Sequence, residues 1–171
     1  MTTARVDALD DTRSDWRVIA PDLDTAPMGT MGRILRIARL ATLLSDELLK
    51  AHGLTRGEFD VLSAVRRAAE PPTPSQLARS IAASNASITK RVGALEAAGL
   101  VLRERSTGDR RVVKVVVTPE GRERIDGALP DQLTLERELV GVLGAPERQE
   151  LEGALRRVLL ECDRRAEPAV T

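Results

Sequence analysis

The segment TPSQLARSIAASNASITKRVGALEAAGLVLRERSTGDRRVVKVVV, Thr73–Val117, decides how the chain folds. It opens on Thr73-Pro74-Ser75-Gln76, where the threonine side chain can accept the backbone N–H three residues on and the glutamine can reach back. Proline takes the first helical position, in which its missing N–H would have no helical partner anyway. This predicts a short helix over 74–82. Ser84-Asn85 offers a second N-cap, for a helix running to Ala98 with Ile88, Val92 and Leu95 on its buried side and Gly99 as its C-terminal stop. Two β-rich runs follow, Leu100–Arg105 and Val112–Val117, joined by polar residues 106–111 with Gly108-Asp109 as turn formers. Two helices in quick succession and a hairpin with a basic tip make a winged helix–turn–helix, a mainly α fold with a small β component (α+β).

The whole chain balances 26 Lys+Arg against 26 Asp+Glu. The balance hides a division. Within 73–117 the bases are Arg79, Lys90, Arg91, Arg103, Arg105, Arg110, Arg111 and Lys114 and the acids are Glu96, Glu104 and Asp109, a net +5 that leaves −5 for the rest. In a winged helix–turn–helix the second helix enters the major groove and the wing reaches flanking backbone or minor groove, so this distribution points to double-stranded DNA. Ser84, Asn85, Ala86, Ser87, Thr89 and Lys90 carry no bulky apolar group and can approach base edges and phosphates. Arginines scattered over a helix pair are ordinarily just solvated charge; here the basic excess, the helix pair and the basic hairpin coincide.

Upstream, Thr55-Arg56-Gly57-Glu58 fits a capping box for a helix over 56–69, with Phe59, Leu62, Val65 and Ala69 at helical spacing and Pro71-Pro72 ending it. Before it, a helix over 27–52 closed by Gly53 presents a broad apolar face from Met28, Met31, Leu35, Ile34, Ile37, Leu44 and Leu48. Residues 10–19, with Trp16, predict one more short helix, followed by the break Pro21-Asp22-Leu23-Asp24. Downstream, Thr118-Pro119-Glu120 starts a helix to about 143, Gly144-Ala145-Pro146 interrupts it, and Leu151, Leu155, Val158, Leu159 and Cys162 recur at helical spacing on a last helix. Broad apolar faces on the terminal helices call for something to cover them, and a second subunit is a leading candidate.

Composition narrows the function classes. With 171 residues, 42% hydrophobic and 30% charged, the chain is globular in character. One cysteine and one histidine, Cys162 and His52, make neither an internal disulfide nor a structural zinc site, so no metal is expected. Two aromatics in the whole chain argue against base-stacking platforms. No apolar run spans a bilayer and Met1–Asp11 has no signal-like core, which predicts a cytoplasmic protein with no membrane partner. No nucleophile–base set, phosphate loop or cofactor motif stands out, so no enzyme is expected.

The pattern Thr73-Pro74-Ser75-Gln76-Leu77-Ala78, Ser84–Val92, Leu95-Glu96-Ala97-Ala98-Gly99-Leu100-Val101, Asp109-Arg110-Arg111 and Val117-Thr118-Pro119-Glu120-Gly121 resembles the MarR family of bacterial transcriptional regulators over roughly 30–160. The resemblance implies a cytoplasmic, nucleoid-associated homodimer on a pseudopalindromic operator, usually a repressor. It divides the chain into an N-terminal extension (1–26), dimerisation helices (27–54 and 119–167) and a winged DNA-binding domain (55–118). It also implies that Arg111 is the wing arginine and Asp109 steadies the wing, with Arg110 a second candidate.

Arg13-Ser14-Asp15-Trp16, Pro21-Asp22-Leu23-Asp24 and Pro27-Met28 are further similar to the urate-responsive branch of that family. That resemblance implies a site made by Trp16, Asp60, Arg91 and Arg103, with urate or a related purine or phenolic anion as effector. The chemistry is coherent: an indole offers its face to a planar ring, and guanidinium forks bind delocalised anions bidentately, each contact contributing about 1.5–3 kcal/mol. An aspartate beside an anion is repulsive, which suits a switch: entry of urate would displace Asp60, and Arg91 would carry the strain into the DNA-reading helix. Taken singly, Trp16 is as well explained as a packing anchor and Asp60 as surface charge. Alternatives are an oxidant sensor built on Cys162, although its apolar stripe predicts a buried structural thiol, and a winged protein-interaction module without ligand response. His52, at a helix end, reads as a C-terminal capping charge.

Overall fold

A computed structural model of the chain describes residues 6–105 and 111–166. Helices α1 (Ala8–Ile19), α2 (Ala26–Leu49), α3 (Arg56–Arg67), α4 (Pro74–Ser80) and α5 (Asn85–Ala97) lead into strands β1 (Val101–Arg105) and β2 (Val113–Val117), and α6 (Pro119–Val140) and α7 (Ala145–Ala166) follow. The mainly helical winged architecture is as the sequence predicts. The chain divides into two units, Met1–Ala128 and Leu129–Thr171. The division falls inside α6 beside Pro130, whose ring nitrogen cannot donate the helical hydrogen bond.

In the first unit the core is built by α3, α4, α5, the strands and the start of α6: Leu62, Leu77, Ile88, Val92, Leu95, Leu100, Val115 and Ile125 are all at most 1% exposed. Phe59 is buried with them. The capping signals act as read. Thr55 and Thr73 each accept the backbone N–H of the residue three on while Glu58 and Gln76 bond back, and Ser84 Oγ accepts from the Ser87 N–H. The hairpin is antiparallel, Val101 opposite Val117 and Glu104 opposite Lys114.

Helix α6 ends at Val140, short of the expected 143, and two helix ends in the winged half also differ from the sequence reading. Helix α3 stops at Arg67 and Ala69 is exposed, because Glu70 precedes a proline and the Val115 N–H captures the Pro72 carbonyl at 2.8 Å, drawing the connecting segment out alongside β2. Helix α4 stops at Ser80 because Ala82 adopts the left-handed conformation, φ 49°, in a Schellman turn whose Ala83 N–H reaches the Ala78 carbonyl. Gly53 does end the long N-terminal helix, but through a 3-10 turn, Lys50–His52, and the His52 carbonyl accepts from Arg124 at 2.8 Å.

Helix α1 docks antiparallel on the first turns of α2. Asp7 caps α1 and shares Arg33 with Asp10, at 2.8 and 2.7 Å, while Arg33 also donates to the Gly29 carbonyl. Its guanidinium holds both carboxyls below their ordinary value of 3.8. The packing is close at Gly32, where a Cβ would lie 2.5 Å from Leu9 Cδ1 and the leucine would have to shift.

In the second unit α7 has no buried residue, and Leu151, Leu155, Leu159 and Leu160 are exposed. Cys162 is exposed as well, against the expectation of a buried thiol. The apolar stripe predicted burial, but an apolar face is buried only where something packs on it, and α7 has no buried residue.

Candidate functional site

Helix α5 displays the set nominated from sequence. Ser84, Asn85, Ala86, Thr89 and Lys90 are exposed and Ser87 half-buried, because Ile88, Val92 and Leu95 turn the opposite side of the helix into the core. Two hydroxyls have local duties: Ser84 Oγ is the N-cap acceptor, and Thr89 Oγ1 donates to the Asn85 carbonyl at 2.9 Å. Asn85 and Lys90 are the longest polar groups left facing outward. Glu96 pairs with Arg103 at 3.3 Å and Glu104 lies opposite Lys114, so two of the segment's three acids are matched. Arg79, Lys90 and Arg105 are exposed and make no ion pair among the described residues, which leaves their field available to phosphates. Arg111 is exposed at the start of the returning strand segment; Asp109 and Arg110 lie outside the described residues.

The four residues nominated for an effector do not converge within one chain. Arg91 reaches α3, the helix that carries Asp60. The Arg91 guanidinium lies against Gly57, where an added Cβ would meet its Nε at 2.6 Å and Cζ at 2.7 Å, one helical turn before Asp60. Asp60 is held by Arg56, Nε to Oδ1 at 2.9 Å, at side-chain exposures of 27% and 33%. Arg91 is half-buried and makes no ion pair among the described residues. Arg103 takes the other flank of α5: it pairs with Glu96, reaches the Thr89 carbonyl at 3.5 Å and approaches Gly93. Thr89, Gly93 and Glu96 form one stripe, and Arg91 sits about 160° round the helix from it.

Trp16 is 39% exposed on α1. Leu9 meets Gly32 and Arg13 meets Gly29, so the antiparallel docking brings Trp16 level with the first residues of α2. The Asp60 cluster touches α2 at Ser45, nineteen residues on from Ala26, or about 28 Å along the axis. Arg56 is the residue that the sequence reading passed over. Its signal was present as an Arg-Asp pair four apart on a predicted helix, the spacing that puts two side chains side by side.

The MarR family profile matches residues 52–112. The HTH-type transcriptional regulator PecS of Dickeya dadantii is 32% identical over 157 residues, 91% of this chain and 95% of that protein. The chain belongs to the MarR family. It is therefore a DNA-binding transcriptional regulator. Among solved MarR-like structures, BldR of Sulfolobus solfataricus superposes with a TM-score of 0.71 at 30% identity, covering 79% of this chain and 95% of that one. The C80S mutant of Escherichia coli MarR complexed with operator DNA gives 0.71 at 27% identity, covering 84% and 97%. Among the described residues of this MarR-family chain, no helix is long and apolar enough to cross a membrane.

Proposed function

We propose that this chain acts as a homodimer that binds a pseudopalindromic operator, normally as a repressor, and lets go when a planar anion such as urate or a related purine or phenolic acid binds. The observation that carries the ligand response is the half-buried Arg91, on the DNA-reading helix, lying against Gly57 of α3, about one turn before an aspartate that Arg56 holds. An anion that engages Arg91 acts directly on the element that reads DNA, and it must contend with Asp60 to do so. Release needs the effector to prefer the DNA-incompetent dimer; moving a balance from 1:99 to 99:1 takes about 5.5 kcal/mol of differential affinity. The exposed apolar faces of α2 and α7 support dimerisation, and a pseudopalindromic operator would mirror the dimer's twofold axis.

The test is a mobility shift on the DNA upstream of the chain's own gene, titrated with urate, xanthine, salicylate and peroxide. Release by urate supports the reading. Release by peroxide alone replaces it with a thiol sensor at the exposed Cys162. In the same assay Arg111→Ala should weaken operator binding about tenfold and lower the salt slope by about one, with the dimer intact. Unchanged affinity would remove Arg111 from the interface.

A further inference from the structure

The side chains at the leading end of α5 differ in what their polar atoms have left to offer. Ser84 Oγ already accepts the Ser87 N–H, and Thr89 Oγ1 already donates to the Asn85 carbonyl. Ser87 is half-buried, and Ala86 has no polar side-chain atom. Lys90 is exposed and can only donate. Asn85 is exposed too, and its amide makes no hydrogen bond among the described residues, so one planar group keeps an acceptor, Oδ1, and a donor, Nδ2, side by side and uncommitted. It is also the first residue of α5. The Cα–Cβ bonds of a helix tilt toward its N-terminus, so a side chain at that position reaches past the helix end, the end that a helix–turn–helix lowers onto base edges. Ala86, next along, adds no atom beyond Cβ that would hold the helix off the groove floor.

We propose that Asn85 reads an adenine in each operator half-site, Nδ2 donating to N7 and Oδ1 accepting from the N6 amino group. The assignment rests on the reading that the chain binds operator DNA through α5. In the major groove adenine presents an acceptor next to a donor, whereas guanine presents two acceptors, cytosine a donor, and thymine an acceptor beside a methyl group. A free amide matches the adenine edge with both of its polar atoms and any other base with one. Lys90 cannot make that match, because it has no acceptor; guanine or phosphate is its complement. The Asn85 backbone is held as well. Its carbonyl accepts from Thr89 Oγ1 at 2.9 Å, and the Ser84 cap closes the turn beside it, so the amide is carried on an ordered turn and little backbone freedom is lost on docking.

Enrichment from randomised duplexes by the full chain tests this, followed by affinity measurement on the selected duplex. The wild-type chain should select adenine at one position in each half-site. Asn85→Ala should lose that preference alone and bind the selected duplex about tenfold more weakly. Replacing that adenine by 7-deazaadenine, which deletes the N7 acceptor and leaves base pairing intact, should weaken the wild type about fivefold and Asn85→Ala not at all; were Asn85 needed only to shape the helix end, the variant would stay sensitive to the modified base. Should Asn85→Ala fail to fold, Asn85→Asp decides: it keeps the size, its charge suits the first turn of a helix, and it has no donor for N7, so the adenine preference should vanish with it. A variant that selects the same bases as the wild type, or a preference lost at a base other than adenine, overturns the assignment and leaves operator binding standing. If the wild type enriches no sequence at all, the operator reading falls and the assignment with it.

Discussion

Leu62 and Ile88 in the winged half are fully buried, whereas Leu159 and Leu160 on α7 are 61% and 62% exposed, although all four sit on helices with apolar positions at helical spacing. The winged half satisfies its apolar faces from within: α3, α4, α5 and the hairpin close on one another around a continuous core. The terminal helices do not. Met31, Leu35, Leu43 and Leu44 on α2 are 40–65% exposed, and α7 buries nothing. Apolar surface on that scale marks a face fit for a partner, and the contrast sets a reading unit that closes its own core against helices that the proposed dimer would cover.

The contrast is broken most severely from inside the core. Leu62→Ala should cost about 2–5 kcal/mol in urea unfolding, since Leu62 is fully buried and its neighbours relax only partly into the cavity. Less than about 1 kcal/mol would mean the core is not closed. On the other side, Leu155→Glu combined with Leu159→Glu should leave helical content largely intact yet yield a monomer by sedimentation, because a charge on each copy's apolar face opposes pairing. Operator affinity should then fall about 100-fold or more as the two half-sites lose their linkage. A dimer that survives the double change would place the interface elsewhere.

Much of this contrast was legible beforehand because its determinants are local. Thr55, Thr73 and Ser84 cap helices through contacts three residues away, and the positions 88, 92 and 95 share a face by helical geometry alone. What the sequence hid was set over long range. The end of α3 depends on a bond from Val115 to Pro72, and the flank taken by Arg103 depends on how β1 leaves α5. The apolar stripe at Cys162 shows that a face is apolar without showing what covers it. Arg56 was overlooked because a single Arg-Asp pair on a helix is commonplace; its bond to Ser45 on another helix sets it apart.

Helix α1 sharpens the comparison from the edge, being neither core nor open face. Its anchor is the Arg33 clasp on Asp7 and Asp10, both of which titrate below their ordinary value of 3.8 in the folded chain. A depressed folded pKa contributes stability that is present above the unfolded value and is lost as pH falls through the folded one. The clasp therefore holds at neutral pH and opens only below pH 3.8. Trp16, the sole tryptophan, lies on α1 and reports it by fluorescence. Arg33→Ala should loosen α1 already at neutral pH, and a spectrum unchanged from wild type down to pH 4 would show that the Leu9–Gly32 packing holds the helix without the clasp.

The smallest expected effect lies inside the reading unit, where two helices end in the same turn with different residues. Helix α5 closes with Gly99 at φ 73°, the Leu100 N–H reaching the Leu95 carbonyl at 2.9 Å; α4 closes with Ala82 at φ 49°, the Ala83 N–H reaching the Ala78 carbonyl at the same distance. The left-handed conformation costs a residue with a Cβ about 1–2 kcal/mol, and glycine avoids that at an entropic cost of about 0.5–1 kcal/mol in the unfolded chain. Ala82→Gly should therefore stabilise the protein by a few tenths to about 1 kcal/mol, read as a small rise in the urea midpoint with unchanged slope. The direction decides the matter. A loss of stability would mean that Ala82 contributes contacts beyond its backbone, whereas a gain shows that the turn aiming α5 at DNA is held in place by the packing of Leu77 and Ile88 on either side, against the preference of its own residue.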